Sequence, residues 1–169
     1  MKKLILLTIT IFAFTFSNNT NAQMLEGGSI GGGAQFNTLF YGLSAKYNIT
    51  DVHNAQFIVG GANYGYSSNY SSFTATGRYL YNFLFLDGIN LKTYGFGQLG
   101  YWSVKFDSTG NKYSSVAFGV GGGGEYSFEG LEQLGLNAEV GYGTGGSFGY
   151  YSSYRKAFVG IGVHYYFSF

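Results

Sequence analysis

Near the end of the chain apolar and small or polar residues alternate. Ala157, Val159, Ile161, Val163, Tyr165, Phe167 and Phe169 fall on one side, and Gly160, Gly162, His164, Tyr166 and Ser168 on the other. A period of two is the mark of a β-strand with two unlike faces. The pattern recurs upstream. Leu39, Tyr41, Leu43, Ala45, Tyr47 and Ile49 oppose Gly42, Ser44, Lys46 and Asn48, and Phe73, Ala75, Tyr79, Tyr81 and Phe83 oppose Thr74, Thr76, Arg78 and Asn82. Leu134, Leu136, Ala138, Val140 and Tyr142 oppose Asn137, Glu139, Gly141 and Gly143, while Val116, Phe118, Val120 and Tyr126 oppose Ala117, the odd-numbered glycines and Glu125. Three weaker segments complete a set of eight predicted strands, at 26–36, 39–49, 55–66, 73–83, 89–104, 113–126, 134–146 and 155–169.

The connections alternate as well. TDVHN, LFLDG and SFEGLEQ join one set of strand pairs, and SSNYSS, DSTGNK and SFGYYSSY join the other. Short turns at one end and loops at the other predict an antiparallel, up-and-down arrangement. Upstream of the strands, Met1 to Ala22 carries Lys2 and Lys3, an apolar run from Leu4 to Phe16, and a polar stretch closing on TNA. These are the three regions of a secretory signal, with cleavage expected after Ala22. The apolar run is too short for a membrane-spanning helix, so the mature product is expected to be one domain, residues 23–169.

Composition narrows the fold class to all-β. The chain has 29 Gly, 17 Tyr and 17 Phe but no Pro, a mixture rich in strand-forming aromatics and poor in helix formers. Mean hydropathy is +0.04. A soluble domain has such a value, and so does a barrel with an apolar outside and a polar inside. With Lys2 and Lys3 removed, seven basic residues stand against eight acidic ones, which gives no basic face for nucleic acid. Cysteine is absent, so cohesion must come from hydrogen bonding and packing rather than disulfides. Two separated histidines without cysteine make no metal-ligand set, and no cofactor is expected. Gly121 to Gly124 lack both the lysine and the following helix of a phosphate loop; bare backbone under neighbouring aromatic rings is their expected use.

Charge placement gives the sheet an inside. The alternation points Lys46, Arg78, Lys92, Glu125, Glu139 and His164 away from the apolar stripe. Enclosed charges must be paired or hydrated, so an internal ionic network is predicted. Eight strands enclose a bore narrow enough for side chains to fill, and the bore is expected to be plugged. If the apolar stripe meets hydrocarbon, an open sheet edge would leave backbone groups unpaired at several kcal/mol each, so the last strand must pair with the first. About ten residues per tilted crossing allow eight crossings in the mature length.

The whole mature chain resembles the small eight-stranded outer-membrane β-barrel proteins of Gram-negative bacteria, the group that includes the OmpA barrel domain and OmpX. The segment GVHYYFSF is similar to their C-terminal assembly signal, carried by Gly162, Tyr165, Phe167 and Phe169. The resemblance implies an antiparallel up-and-down transmembrane barrel in the outer membrane. Its implied partners are outer-membrane lipid and lipopolysaccharide, and the outer-membrane assembly machinery during biogenesis. A non-enzymatic structural or surface role follows from it. Tyr64, Tyr66, Tyr70, Trp102, Tyr150, Tyr151 and Tyr154 are expected in the outer aromatic girdle and its loops, where an unidentified surface partner would touch.

Two alternatives remain open at this point. Inverting the phase gives a soluble, lipocalin-like exported barrel with an apolar interior. A lipid A acyl-modifying enzyme would need a histidine beside a serine, whereas His53 is expected in a turn, His164 in the lumen, and the serine-rich loops contain no histidine.

Overall fold

The computed structural model describes residues 27–62, 70–106, 110–145 and 154–167. Its strands are β1 (Ile30–Asn37), β2 (Phe40–Asn48), β3 (His53–Ala62), β4 (Tyr70–Leu86), β5 (Leu91–Phe106), β6 (Lys112–Phe128), β7 (Leu131–Gly145) and β8 (Tyr154–Phe167). They form one closed barrel in sequence order, every neighbouring pair antiparallel. Closure runs from Ile30 opposite Phe167 to Asn37 opposite Gly160, so no strand edge is left open.

The strands differ from the sequence reading at their ends. β1 begins at Ile30, and β4 and β6 run on through residues read as turns, to Leu86 and Phe128. The turns at that end shrink accordingly. A single 3₁₀ turn at Asp87–Ile89, followed by Asn90 at φ 47°, links β4 to β5. Glu129 and Gly130 link β6 to β7, Gly130 at φ 79°, a left-handed conformation that costs glycine nothing. A bulge between Asn82 and Leu84 leaves Phe83 unpaired, so both Phe83 and Leu84 lie exposed. The end carrying these turns and both barrel termini is the turn end; the opposite rim is the loop end. Residues 1–26, 168 and 169 lie outside the described residues, and with them the expected signal segment and Phe169.

Burial is inverted relative to a soluble barrel. Leu43, Phe57, Phe118, Val120, Val140 and Ile161 are exposed on the outer wall, whereas Lys46, Arg78, Lys92, Glu125 and Glu139 are buried. A continuous exposed apolar belt of this size is foreign to monomeric soluble proteins. The lipocalin-like phase is therefore overturned by the face each strand turns inward. Among the described residues no helix is long and apolar enough to cross a membrane.

Two expected outer residues turn inward instead. At the β1–β2 bend the Asn37 carboxamide oxygen accepts from the backbone N–H of Leu39 and of Phe40, 2.8 Å each. That bend carries Leu39 and Phe40 into the interior, both buried. Trp102 is likewise buried rather than in a girdle, its ring set edge-on to Phe40 at 6.2 Å. The side chains of Tyr64, Tyr66, Tyr70, Tyr150, Tyr151 and Tyr154 lie outside the described residues.

Candidate functional site: the charged lumen

Inward-facing residues come from alternate positions of all eight strands, and closure makes them meet across the bore. Lys46 on β2 and Glu125 on β6 approach to 2.5 Å between Nζ and Oε2. The other Glu125 oxygen accepts from the Tyr166 hydroxyl. Lys92 is the cross-strand neighbour of Glu125 and lies 5.9 Å from the Tyr166 ring centre. Two ammonium groups and a phenol thus surround one carboxylate. Tyr166 is accommodated by glycine: a Cβ on Gly31 would stand 2.8 Å from its ring.

A second ion pair crosses from β4 to β7. Arg78 Nη1 and Nη2 donate to the two oxygens of Glu139, both at 2.9 Å, and Nε donates to the Gln98 side chain at 3.0 Å. This fork is the geometry in which guanidinium and carboxylate bind most strongly. The guanidinium also lies over Phe96 at 4.6 Å and Phe40 at 5.4 Å. Toward the loop end these rings join Leu39, Trp102 and Phe158 in an apolar layer. Phe96 reaches the bore because residue 121 is glycine; a Cβ there would lie 2.5 Å from the ring.

From the Arg78 guanidinium a chain of hydrogen-bonded side chains crosses the lumen. Arg78 Nη1 donates to Gln56 at 3.4 Å, and Gln56 Nε2 donates to Ser44 Oγ at 2.8 Å. Ser44 Oγ is 2.8 Å from His164 Nε2, and His164 Nδ1 is 3.3 Å from the Asn137 amide nitrogen. Asn137 and Gln35 exchange bonds of 3.2 and 3.3 Å. All six expected lumen residues face this interior. The neutral members Gln35, Ser44, Gln56, Gln98 and Asn137 were missed as site residues, although each sits at an inward position of its strand.

The Ser44–His164 contact is the serine–histidine pair that the sequence did not bring together. Side-chain amides stand at both nitrogens of its imidazole. Because the Asn137 oxygen accepts from Gln35, its nitrogen is left to donate to His164 Nδ1. Gln56, whose carboxamide oxygen accepts from Arg78, sets its own amide nitrogen 3.4 Å from His164 Nε2, so an amide N–H faces each ring nitrogen and either tautomer is compatible with the contacts. A serine nucleophile needs a bare nitrogen facing its hydroxyl. His164 is also fully buried. His53 is not in a turn but opens β3, its Nδ1 2.5 Å from the Tyr79 hydroxyl. Among the described residues no group of three His, Cys, Asp or Glu could hold a metal.

Gly162, read as part of the terminal signal, faces the lumen, where a Cβ would stand 2.2 Å from the Gln35 oxygen. Tyr165 and Phe167 pack edge to face at 5.0 Å, and the Tyr165 hydroxyl donates to Gln133.

Comparison with known structures agrees with this architecture. The chain is similar to the crystal structure of the N-terminal β-barrel domain of Pseudomonas aeruginosa OprF, with TM-score 0.65 and 17% identity, over 83% of this chain and 98% of that one. It is also similar to Neisserial surface protein A, with TM-score 0.55 and 18% identity, over 81% and 94%. The fold is that of the small outer-membrane barrels. No protein-family model and no curated protein matches the chain.

Proposed function

We propose that the chain is a non-enzymatic integral outer-membrane barrel, with an envelope-structural or surface-contact role and a lumen closed by its own side chains. One observation carries this reading: the outer wall carries a belt of exposed apolar residues while ionised groups pair inside. Hydrocarbon accepts the first and water-filled or protein-filled space accepts the second. The likeness in fold to two outer-membrane barrels adds support. In this reading the turn end faces the periplasm and the loops face outward. Gly162, Tyr165, Phe167 and Phe169 serve the assembly machinery, and Tyr165 and Phe167 sit at the inner interface, where rings with polar tips are favoured.

Closure of the bore follows from the cross-lumen pairs and the apolar layer above them, since an eight-stranded bore has room for little else. The serine–histidine pair is read as a structural part of the lumen, because both side chains are buried there. The decisive experiment is reconstitution of the mature barrel in a planar bilayer, with carbonate extraction of expressing membranes beside it. Resistance to extraction and absence of conductance steps are expected. Release by carbonate would overturn the membrane location, and steady ion conductance would overturn the closed lumen.

A further inference from the structure

Among the described residues, the outer wall sets two like charges side by side near the loop end. Lys105 on β5 and Lys112 on β6 are direct cross-strand partners, both exposed, and Ser71 on β4 is the next residue in the same row. Like charges directly opposite destabilise a sheet unless an anion lies between them. Neither lysine forms an ion pair with a described residue.

Below this row, along the same strands, the wall is hollowed. Gly77 and Gly97 form the floor of a groove of about 870 Å³, walled by Phe57, Tyr79, Leu99 and Tyr101. A Cβ at Gly97 would meet nothing within 4 Å, so the hollow opens outward rather than into the bore. The rows are in register: Phe57, Gly77 and Leu99 are cross-strand partners, then Ala75 with Tyr101, then Ser71 with Lys105 and Lys112. From Leu99 to Lys105 the strand climbs six residues, or roughly 20 Å along a strand. Tilt reduces that to about 15 Å along the barrel axis, half the thickness of a hydrocarbon core.

We infer that this column is a lipid site, in which an acyl chain lies in the Gly77–Gly97 groove and its phosphorylated headgroup is held by Lys105, Lys112 and the Ser71 hydroxyl. The inference rests on the membrane reading above and adds the class of lipid it selects. An acyl chain that starts at the lysine row ends at the groove near mid-membrane, which is the length one leaflet supplies. The phosphate supplies an anion that no described residue gives the lysine pair. A second copy fits the column poorly. Two barrels inserted the same way round are related by an axis along the membrane normal, which would set their lysine pairs at one height and facing.

The test uses the folded mature barrel in phosphatidylcholine nanodiscs, titrated with lipid A, with enzymatically dephosphorylated lipid A, and with inorganic phosphate. Wild type should bind lipid A at least tenfold more tightly than the dephosphorylated form, and millimolar phosphate should not displace it. Lys105→Ser with Lys112→Ser should abolish that preference, and Gly97→Leu, which fills open space, should weaken binding of both lipids. Both variants should keep wild-type heat-modifiable migration. Equal binding of lipid A by wild type and the double lysine variant would overturn the site, as would displacement by phosphate alone. A groove occupied by a second barrel in cross-linked discs would do the same. Failure of wild type to enter discs at all would overturn the membrane reading itself, a result distinct from insertion without selectivity.

Discussion

Lys46 and Glu125 belong to β2 and β6, which stand four strands apart in either direction around the ring, yet their charged atoms are 2.5 Å apart. An ion pair between opposite walls acts as a strut. It also ties the two halves of the barrel to a common register, because a slip of one residue on either strand would turn a charge toward the outer face.

The strut is unequal in its two partners. Glu125→Gln leaves the ammonium groups of Lys46 and Lys92 beside a neutral amide, whereas Lys46→Met leaves Glu125 with Lys92 next to it and Tyr166 donating to it. Removing one partner of a buried pair costs about 3–5 kcal/mol. Glu125→Gln should fall in that range and Lys46→Met below it, with the double variant less destabilised than the sum. Urea unfolding in detergent micelles, followed by heat-modifiable gel migration, measures all three. Strict additivity would remove the strut.

Arg78 is held by shape as well as charge. Lysine at this position keeps the cation but loses the two-bond fork to Glu139, the bond to Gln98 and the stack on Phe96. Arg78→Lys should therefore destabilise the barrel by about 1.5–3 kcal/mol, the range for hydrogen bonds to charged groups. A change under 0.5 kcal/mol in the same unfolding assay would mean that charge alone holds the pair.

These two pairs also mark where sequence reading stops. Alternation fixes which face a residue joins, so Lys46, Arg78, Lys92, Glu125, Glu139 and His164 could be turned inward from period two alone. Which of them meet depends on strand stagger around the closed ring, a property of all eight registers together. Trp102 and Leu39 were misread for a local reason. Both lie near the loop end, where an interior apolar layer and an outer aromatic girdle require the same residue types, and only the Asn37 bend decides the direction for Leu39. Ser44 and His164 are 120 residues apart, and no short-range signal joins them.

Glycine at 121 and glycine at 97 should respond oppositely to alanine. At Gly121 the new methyl would lie 2.5 Å from the Phe96 ring and 2.5 Å from the Val140 carbonyl oxygen, and the backbone oxygen cannot swing aside. Overpacking of this kind costs about 1–3 kcal/mol. At Gly97 no atom stands within 4 Å, and the substitution should be neutral or stabilise by about 0.4–1 kcal/mol through the unfolded chain. Equal effects at the two positions, read by the same unfolding curves, would contradict the inward packing of Phe96.

The proton of His164 provides the sharpest test of what the lumen does. The Asn137 amide nitrogen lies 3.3 Å from Nδ1 and the Gln56 amide nitrogen 3.4 Å from Nε2, and the nitrogen chemical shifts of labelled protein in micelles read which ring nitrogen holds the proton. Asn137→Asp puts an acceptor at Nδ1 and should hold the proton there, leaving Nε2 free to accept from Ser44. A fluorophosphonate probe should leave Ser44 unlabelled in wild type, since the pair is buried in the lumen. Labelling of wild-type Ser44 that is lost in His164→Ala would make this pair a catalytic one, and the closed, non-enzymatic lumen would have to be abandoned.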